Sequence, residues 1–203
     1  MPKLGMQAIR KRELIEAAIA AIHARGSLEV TVSEIARRAG VSQGLAHHYF
    51  GSKEQLIVSA MRHLLNEFGA AVRVALRKAG SPRDRVSAII RCSLGPEQFD
   101  PQTVSAWLIF YVHAQRSPEA RRLLSIYTAR LNTNLRHALR PLIGSRAPDV
   151  AEAISALIDG FYIRNALAAE SSGSHLSIAL TENYVDLQLA NRTPAASRQI
   201  GSK

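Results

Sequence analysis

The sequence predicts an all-α protein of about nine helices, three short ones followed by about six longer ones. Three observations point there. Apolar residues recur at intervals of three and four almost throughout the 203 residues. Alternating β-branched stretches of useful length do not occur. Gly, Pro and Ser clusters fall between the periodic segments, where helix ends belong.

In the first segment Ile9, Ile15, Ala18, Ile19 and Ile22 form an apolar stripe, with Arg10, Lys11, Arg12, Glu13 and Glu16 mostly off it. Gly26 ends this helix, because glycine accepts a left-handed C-terminal conformation. Thr31-Val32-Ser33-Glu34 has capping-box spacing and opens a second helix that stops at Ala39-Gly40. Ser42 caps a short third helix reaching His48 or Tyr49, and Gly51-Ser52 breaks the chain again. Ser52 then caps a long fourth helix from Lys53 to about Lys78, carrying Leu56, Ala60, Leu64, Phe68 and Val72. Further helices are expected over Arg83–Leu94, Pro101–Arg116, Glu119–Arg140 (closed by Pro141 and Gly144), Pro148–Ala169 and Ser177–Ala190. The expected organisation is a head over residues 1–52, a helical body over 53–190 and a flexible tail over 191–203, which lacks an apolar period.

Composition narrows the function. With 47% hydrophobic residues the chain is globular, and 26 Lys and Arg against 16 Asp and Glu leave a formal charge of +10. That excess favours polyanions, nucleic acid or an anionic membrane surface, although basic side chains also serve solubility and charge alone does not decide. Cys92 is the single cysteine, which excludes an intrachain disulfide and a cysteine-based metal site. Met1 to Met6 lacks the apolar core of a signal peptide, and Asp149, Glu152, Asp159 and Arg164 interrupt the apolar run 147–169. A cytoplasmic protein without membrane partners is expected, nucleoid-associated when bound to DNA. His23, His63, His113, His137 and His175 fall in no nucleophile, paired-carboxylate or metal-ligand pattern, so neither enzyme nor cofactor is expected. His47-His48 is a poor metal site, since adjacent residues on a helix point apart and no third ligand is near.

The segment 31–50 has the layout of a helix-turn-helix. Ile35 and Ala36 give its first helix an apolar face, Gly40 supplies the turn, Val41 packs beneath, and Leu45 is expected to anchor the second helix. Ser42, Gln43, His47 and His48 are left outward, and Gly44 lets the backbone approach a duplex, as major-groove entry requires. The run Ile35-Ala36 through Ala39, Gly40, Val41, Ser42 and Gly44, then His48-Tyr49-Phe50 and Lys53-Glu54 with Leu56, resembles the DNA-binding module of the TetR family. By that resemblance Thr31 and Ser33 touch phosphate, Gln43 and His47 approach bases, and Tyr49 and Lys53 clamp the backbone. Lys53 also sits at a helix N-terminus, where free amides favour anions. Many family members carry Tyr where this chain has His47.

Candidate effector residues lie in the body. Trp107 and Tyr111 are four apart on one helix face with Phe110 adjoining, and Asp159 sits among apolar residues with Tyr162 and Asn165 following at spacings of three. Aromatic faces with one carboxylate suit a quaternary ammonium ion, which is held by cation–π attraction and charge. Equally, Trp107 and Tyr111 fit an ordinary core, and Asp159 fits a pair with Arg164 or with an arginine across a dimer interface. The residues Pro2 to Gln7, the run Ile35 to Ser42, Ala106-Trp107-x-x-Phe110 and Leu157-Ile158-Asp159-Gly160 further resemble the choline-responsive branch of the family, repressors of glycine betaine (osmoprotectant) genes. That likeness implies choline as effector, caged by Trp107, Tyr111 and Asp159 with Tyr162 and Asn165 beside them. Where that branch often has Leu-Trp, this chain has Phe161-Tyr162. Betaine aldehyde or another ammonium compound, and regulation of efflux or lipid metabolism by another small ligand, remain alternatives, as does a nonspecific architectural DNA binder. A two-fold operator calls for a homodimer, for which the apolar segments Val150–Ala168 and Leu176–Leu189 are the expected interface.

Overall fold

The computed structural model of the protein describes residues 3–168 and 174–191. Its elements are α1 (Lys3–Arg25), α2 (Val32–Arg38), α3 (Gln43–Phe50), α4 (Lys53–Lys78), α5 (Pro82–Leu94), α6 (Pro101–Ala114), α7 (Pro118–Ile143), α8 (Ala147–Leu167) and α9 (Ser174–Ala190). Short 3-10 turns occupy Pro96–Phe99 and Gly144–Arg146. No strand occurs among the described residues, and none of their helices is long and apolar enough to cross a membrane.

Short polar side chains start most of these helices. Thr31 Oγ1 accepts the Glu34 amide at 3.1 Å, Ser42 Oγ the Leu45 amide at 3.2 Å, and Ser52 Oγ the Gln55 amide at 3.1 Å. Ser81, Asp100 and Ser117 do the same for α5, α6 and α7. Each such cap is worth about 1 kcal/mol by satisfying an otherwise free amide. The expected capping box at Thr31 is only half made. The Glu34 carboxylate turns instead to the Arg25 guanidinium, 3.1 Å away at the end of α1, and this pairing holds its carboxyl below the usual range.

Several helix ends differ from expectation. Pro141 does not close α7, which continues to Ile143 and ends at Gly144 with φ of +59°. Proline in a final turn loses one amide bond, and the left-handed glycine makes the stop. α6 ends at Ala114 and α8 at Leu167, each two residues early, while α9 begins at Ser174, three residues before Ser177. Ser174 Oγ donates to the Leu94 carbonyl at 2.6 Å. Residues 192–203 of the expected tail lie outside the described residues.

Two hydrophobic cores follow one another along α4. The first joins Leu14, Ala18 and Ile22 of α1, Ile35 of α2, Ala46 of α3, the first half of α4, and Ala106, Trp107 and Phe110 of α6. The second gathers Phe68 and Val72 of α4 with α5, α7, α8 and Val185 of α9. The α1 stripe is rotated from its expected position: Leu14 is fully buried whereas Ile9 is 51% exposed. In α3 the anchor is Ala46 rather than Leu45, which is only partly buried; a methyl group lets the short helix sit close on the head. Leu14→Ala is expected to cost about 2–5 kcal/mol of unfolding free energy in urea denaturation. Ile9→Ala should change it by less than about 0.5 kcal/mol, as for a surface site.

Candidate nucleic-acid interface and effector site

The turn between α2 and α3 is made by Gly40 at φ of +67°, a conformation costly for other residues, and the Val41 amide closes it on the Ala36 carbonyl at 3.0 Å. Because Ala46 is the one fully buried residue of α3, Ser42, Gln43, Gly44, His47 and His48 all stand exposed, as do Thr31 and Ser33 at the start of α2. Gly44 has nothing within 4 Å of where a side chain would begin, so backbone can approach a ligand there. Thr31 and Ser42 spend an oxygen lone pair on their caps and keep the hydroxyl proton for an outside acceptor.

His47 Nδ1 lies 3.3 Å from the Gly51 carbonyl, which can only accept, so the proton is placed on Nδ1. Nε2 is then the acceptor facing the Gln43 amide nitrogen at 3.5 Å, and the two side chains orient one another. Tyr49 packs at 5.6 Å on the His48 ring, and Lys53 is partly buried as the first residue of α4. One basic residue joins this face that sequence reasoning left outside it. Lys11 reaches across from α1 to place Nζ 6.0 Å from the Tyr49 ring centre. The sequence signal was its position off the apolar stripe; the partner was legible only in three dimensions.

In the body, Trp107 and Tyr111 of α6 lie 6.0 Å apart, and Trp107 is 5.5 Å from Tyr127 of α7. Tyr127 meets Phe68 of α4 edge-on at 5.3 Å, and Tyr162 of α8 stacks on Phe99 at 5.5 Å. Tyr127, Phe68 and Phe99 complete an aromatic cluster of which the sequence reading named Trp107, Tyr111 and Tyr162. Burial pushes the phenols of Tyr111, Tyr127 and Tyr162 well above their ordinary range, and the Asp159 charge adds to the rise at Tyr111 and Tyr127. These groups therefore share one region of low dielectric.

Asp159 keeps one face open to solvent while its neighbours crowd the other. That crowding, with the Glu152 charge second, holds its carboxyl above the usual aspartate range. It makes no ion pair among the described residues, so the alternative pairing with Arg164 is not formed. Asn165 is directed elsewhere: its amide donates to Ser177 Oγ at 2.9 Å and ties α8 to α9. A groove of about 720 Å³ between α4 and α7 carries Phe68 and Tyr127 in its wall. No group of metal-ligating side chains occurs among the described residues.

A helix-turn-helix head carried on an all-helical body with an internal aromatic site defines a one-component DNA-binding regulator. The chain belongs to the TetR family of bacterial regulatory proteins, whose profile matches residues 14–60, and within it residues 82–190 match the C-terminal domain of BetI-type transcriptional repressors. The HTH-type transcriptional regulator BetI of Brucella abortus is 50% identical over 196 residues, covering 96% of this chain and 99% of the relative. BetI of Rhizobium meliloti is 50% identical over 190 residues, covering 93% and 94%. Among solved structures, a protein of Pseudomonas aeruginosa PAO1 described as a transcriptional regulator aligns with a TM-score of 0.81 at 28% identity, covering 91% of this chain and 92% of its own. A regulator of Saccharomonospora viridis, solved in complex with choline, aligns at 0.78 and 21% identity, covering 88% and 96%. The chain is thus a transcriptional repressor of the BetI type and not an enzyme.

The folded state holds the Asp159 proton more tightly than the unfolded chain does. Stability therefore falls as pH rises through the carboxylate range, and the ionised group is a cost at neutral pH that disappears in strong acid. Asp159→Asn is expected to raise Tm at neutral pH, with the gain vanishing at strongly acid pH. A lower Tm for the variant at neutral pH would contradict the desolvation of this carboxylate.

Proposed function

We propose that this repressor acts as a homodimer on operators of choline-to-glycine-betaine genes, which choline derepresses. The observation that carries the reading is the packing of Tyr111 and Tyr127 against Trp107, with the Asp159 carboxylate, in no ion pair among the described residues, near enough to act on both phenols. A quaternary ammonium ion offers no hydrogen to donate, so ring faces and a nearby negative charge are what can hold it. Each cation–π contact contributes about 1–2 kcal/mol when partly desolvated. The choline held by the Saccharomonospora viridis regulator, which shares this fold, supports the same ligand class here.

On the DNA side, residues 1–52 form the reading head of the proposal. Gln43 and His47 face base edges, Thr31, Ser33 and Ser42 donate to phosphates, Gly44 and His48 permit close contact, and Tyr49 and Lys53 hold the backbone. The body over 53–190 binds the effector and pairs the protomers. Pairing through α8 and α9 is supported by their unpartnered apolar residues: Ile163 and Leu167 on α8, and Leu176, Leu180 and Leu187 spaced along one side of α9. Two heads at a fixed separation then match the two half-sites of a palindromic operator.

Calorimetric titration of the protein with choline tests the effector assignment. Saturable binding is expected, weakened at least tenfold by Trp107→Ala, a loss of about 1.4 kcal/mol. A flat titration of the unaltered protein would reject choline as the ligand.

A further inference from the structure

Tyr162 carries a polar atom that nothing in the described structure satisfies. Its side chain is 7% exposed, and its hydroxyl oxygen is shielded from solvent without a hydrogen-bond partner. Two other buried atoms lack partners, Arg85 Nε and Glu182 Oε1, but each belongs to a group bonded through another atom. Arg85 donates to the Leu76 carbonyl, and the Glu182 carboxylate accepts from Ser87 and pairs with Arg83. Tyr162 has one polar atom only. Leaving a buried hydroxyl unbonded is costly enough that such groups mark a missing partner.

The position of Tyr162 says what that partner is. Its ring stacks on Phe99 and belongs to the same core cluster as Trp107 and Phe110, against which Tyr111 also packs. A trimethylammonium group placed against Trp107, Tyr111 and Tyr127 has neither donor nor acceptor to offer. Another part of the same ligand, reaching toward α8, can bring an oxygen.

We infer that the effector site recognises an oxygen as well as an ammonium: the Tyr162 hydroxyl bonds the alcohol oxygen of a hydroxyethyl-ammonium ligand. This rests on the ammonium reading of the site and adds selectivity to it. The aromatic faces and Asp159 accept many alkylammonium ions, whereas Tyr162 favours those with an oxygen a short chain from the quaternary nitrogen. A site built to bond a ligand hydroxyl discriminates against the analogue lacking it, because a buried group is then left bare.

The test pairs two ligands with two proteins in calorimetric titrations. Choline and ethyltrimethylammonium differ only in the hydroxyl, and Tyr162→Phe keeps the ring stack while removing the phenol oxygen. The unaltered protein is expected to bind choline about tenfold more tightly than ethyltrimethylammonium. The variant is expected to bind both alike, with a Tm no lower than that of the unaltered protein. A choline preference that persists in the variant overturns the inference, as does equal binding of the two cations by the unaltered protein; the ammonium reading survives either result. If neither cation binds the unaltered protein, the ammonium reading fails, and this inference fails with it.

Discussion

Phe110 and Ala106, both wholly buried, seat α6 in the same hydrophobic core as α1. Everything else in the account depends on that packing. The helix-turn-helix segment and α6 meet through interlocked side chains, and a close-packed interior transmits displacement rather than absorbing it. Trp107 belongs to this core and also faces Tyr111 and Tyr127. A ligand that repositions Trp107 therefore acts on a helix whose other side chains already press on the head. The polar contacts around this packing are of a different kind. His23 meets Ser105 at 2.8 Å, His113 meets Glu54 at 2.9 Å, and Arg62 meets Glu119 at 3.4 Å. Partly or largely exposed contacts of this sort contribute little and rearrange readily, which leaves the apolar packing as the coupling element.

The molecule as a whole is basic. Its excess of +10 suits a protein that settles on phosphates, and the α3 face is built so that little stands between backbone and duplex: an alanine anchor, an exposed glycine and two capped helix starts. Over residues 53–190 the Asp159 carboxylate lies near enough to act on the Tyr111 and Tyr127 phenols, which burial holds above their ordinary range. On the proposed reading, a cation bound there would favour the ionised form of Asp159.

Local chemistry made the head legible from sequence. Thr31, Ser42 and Ser52 each cap the helix assigned to them, because a hydroxyl two or three residues before a helix amide needs no tertiary context to find it. Gly40 was readable for a similar reason. What periodicity could not resolve was which of two neighbouring residues faces inward: Leu14 displaced Ile9 from the stripe, and Ala46 took the place of Leu45, since helix phase is settled by the partner surface. Pro141 misled because its cost depends on how near a helix end it lies. In the body, Trp107 and Tyr111 were visible as an i, i+4 pair, but Tyr127, Phe68 and Phe99 come from other elements, and their meeting is a property of the fold. Asn165 had the expected spacing, but the bond from its amide to Ser177 on α9 was not visible in it.

The distance between the two reading helices of a dimer, measured by spin labels placed at Gln43 in a Cys92→Ser background, tests the central claim most directly. In the ligand-free protein a narrow distribution is expected near one helical turn of DNA, about 34–36 Å, shifting to a different separation when choline is added. A separation untouched by saturating choline would contradict the coupling of the aromatic site to the head through α6.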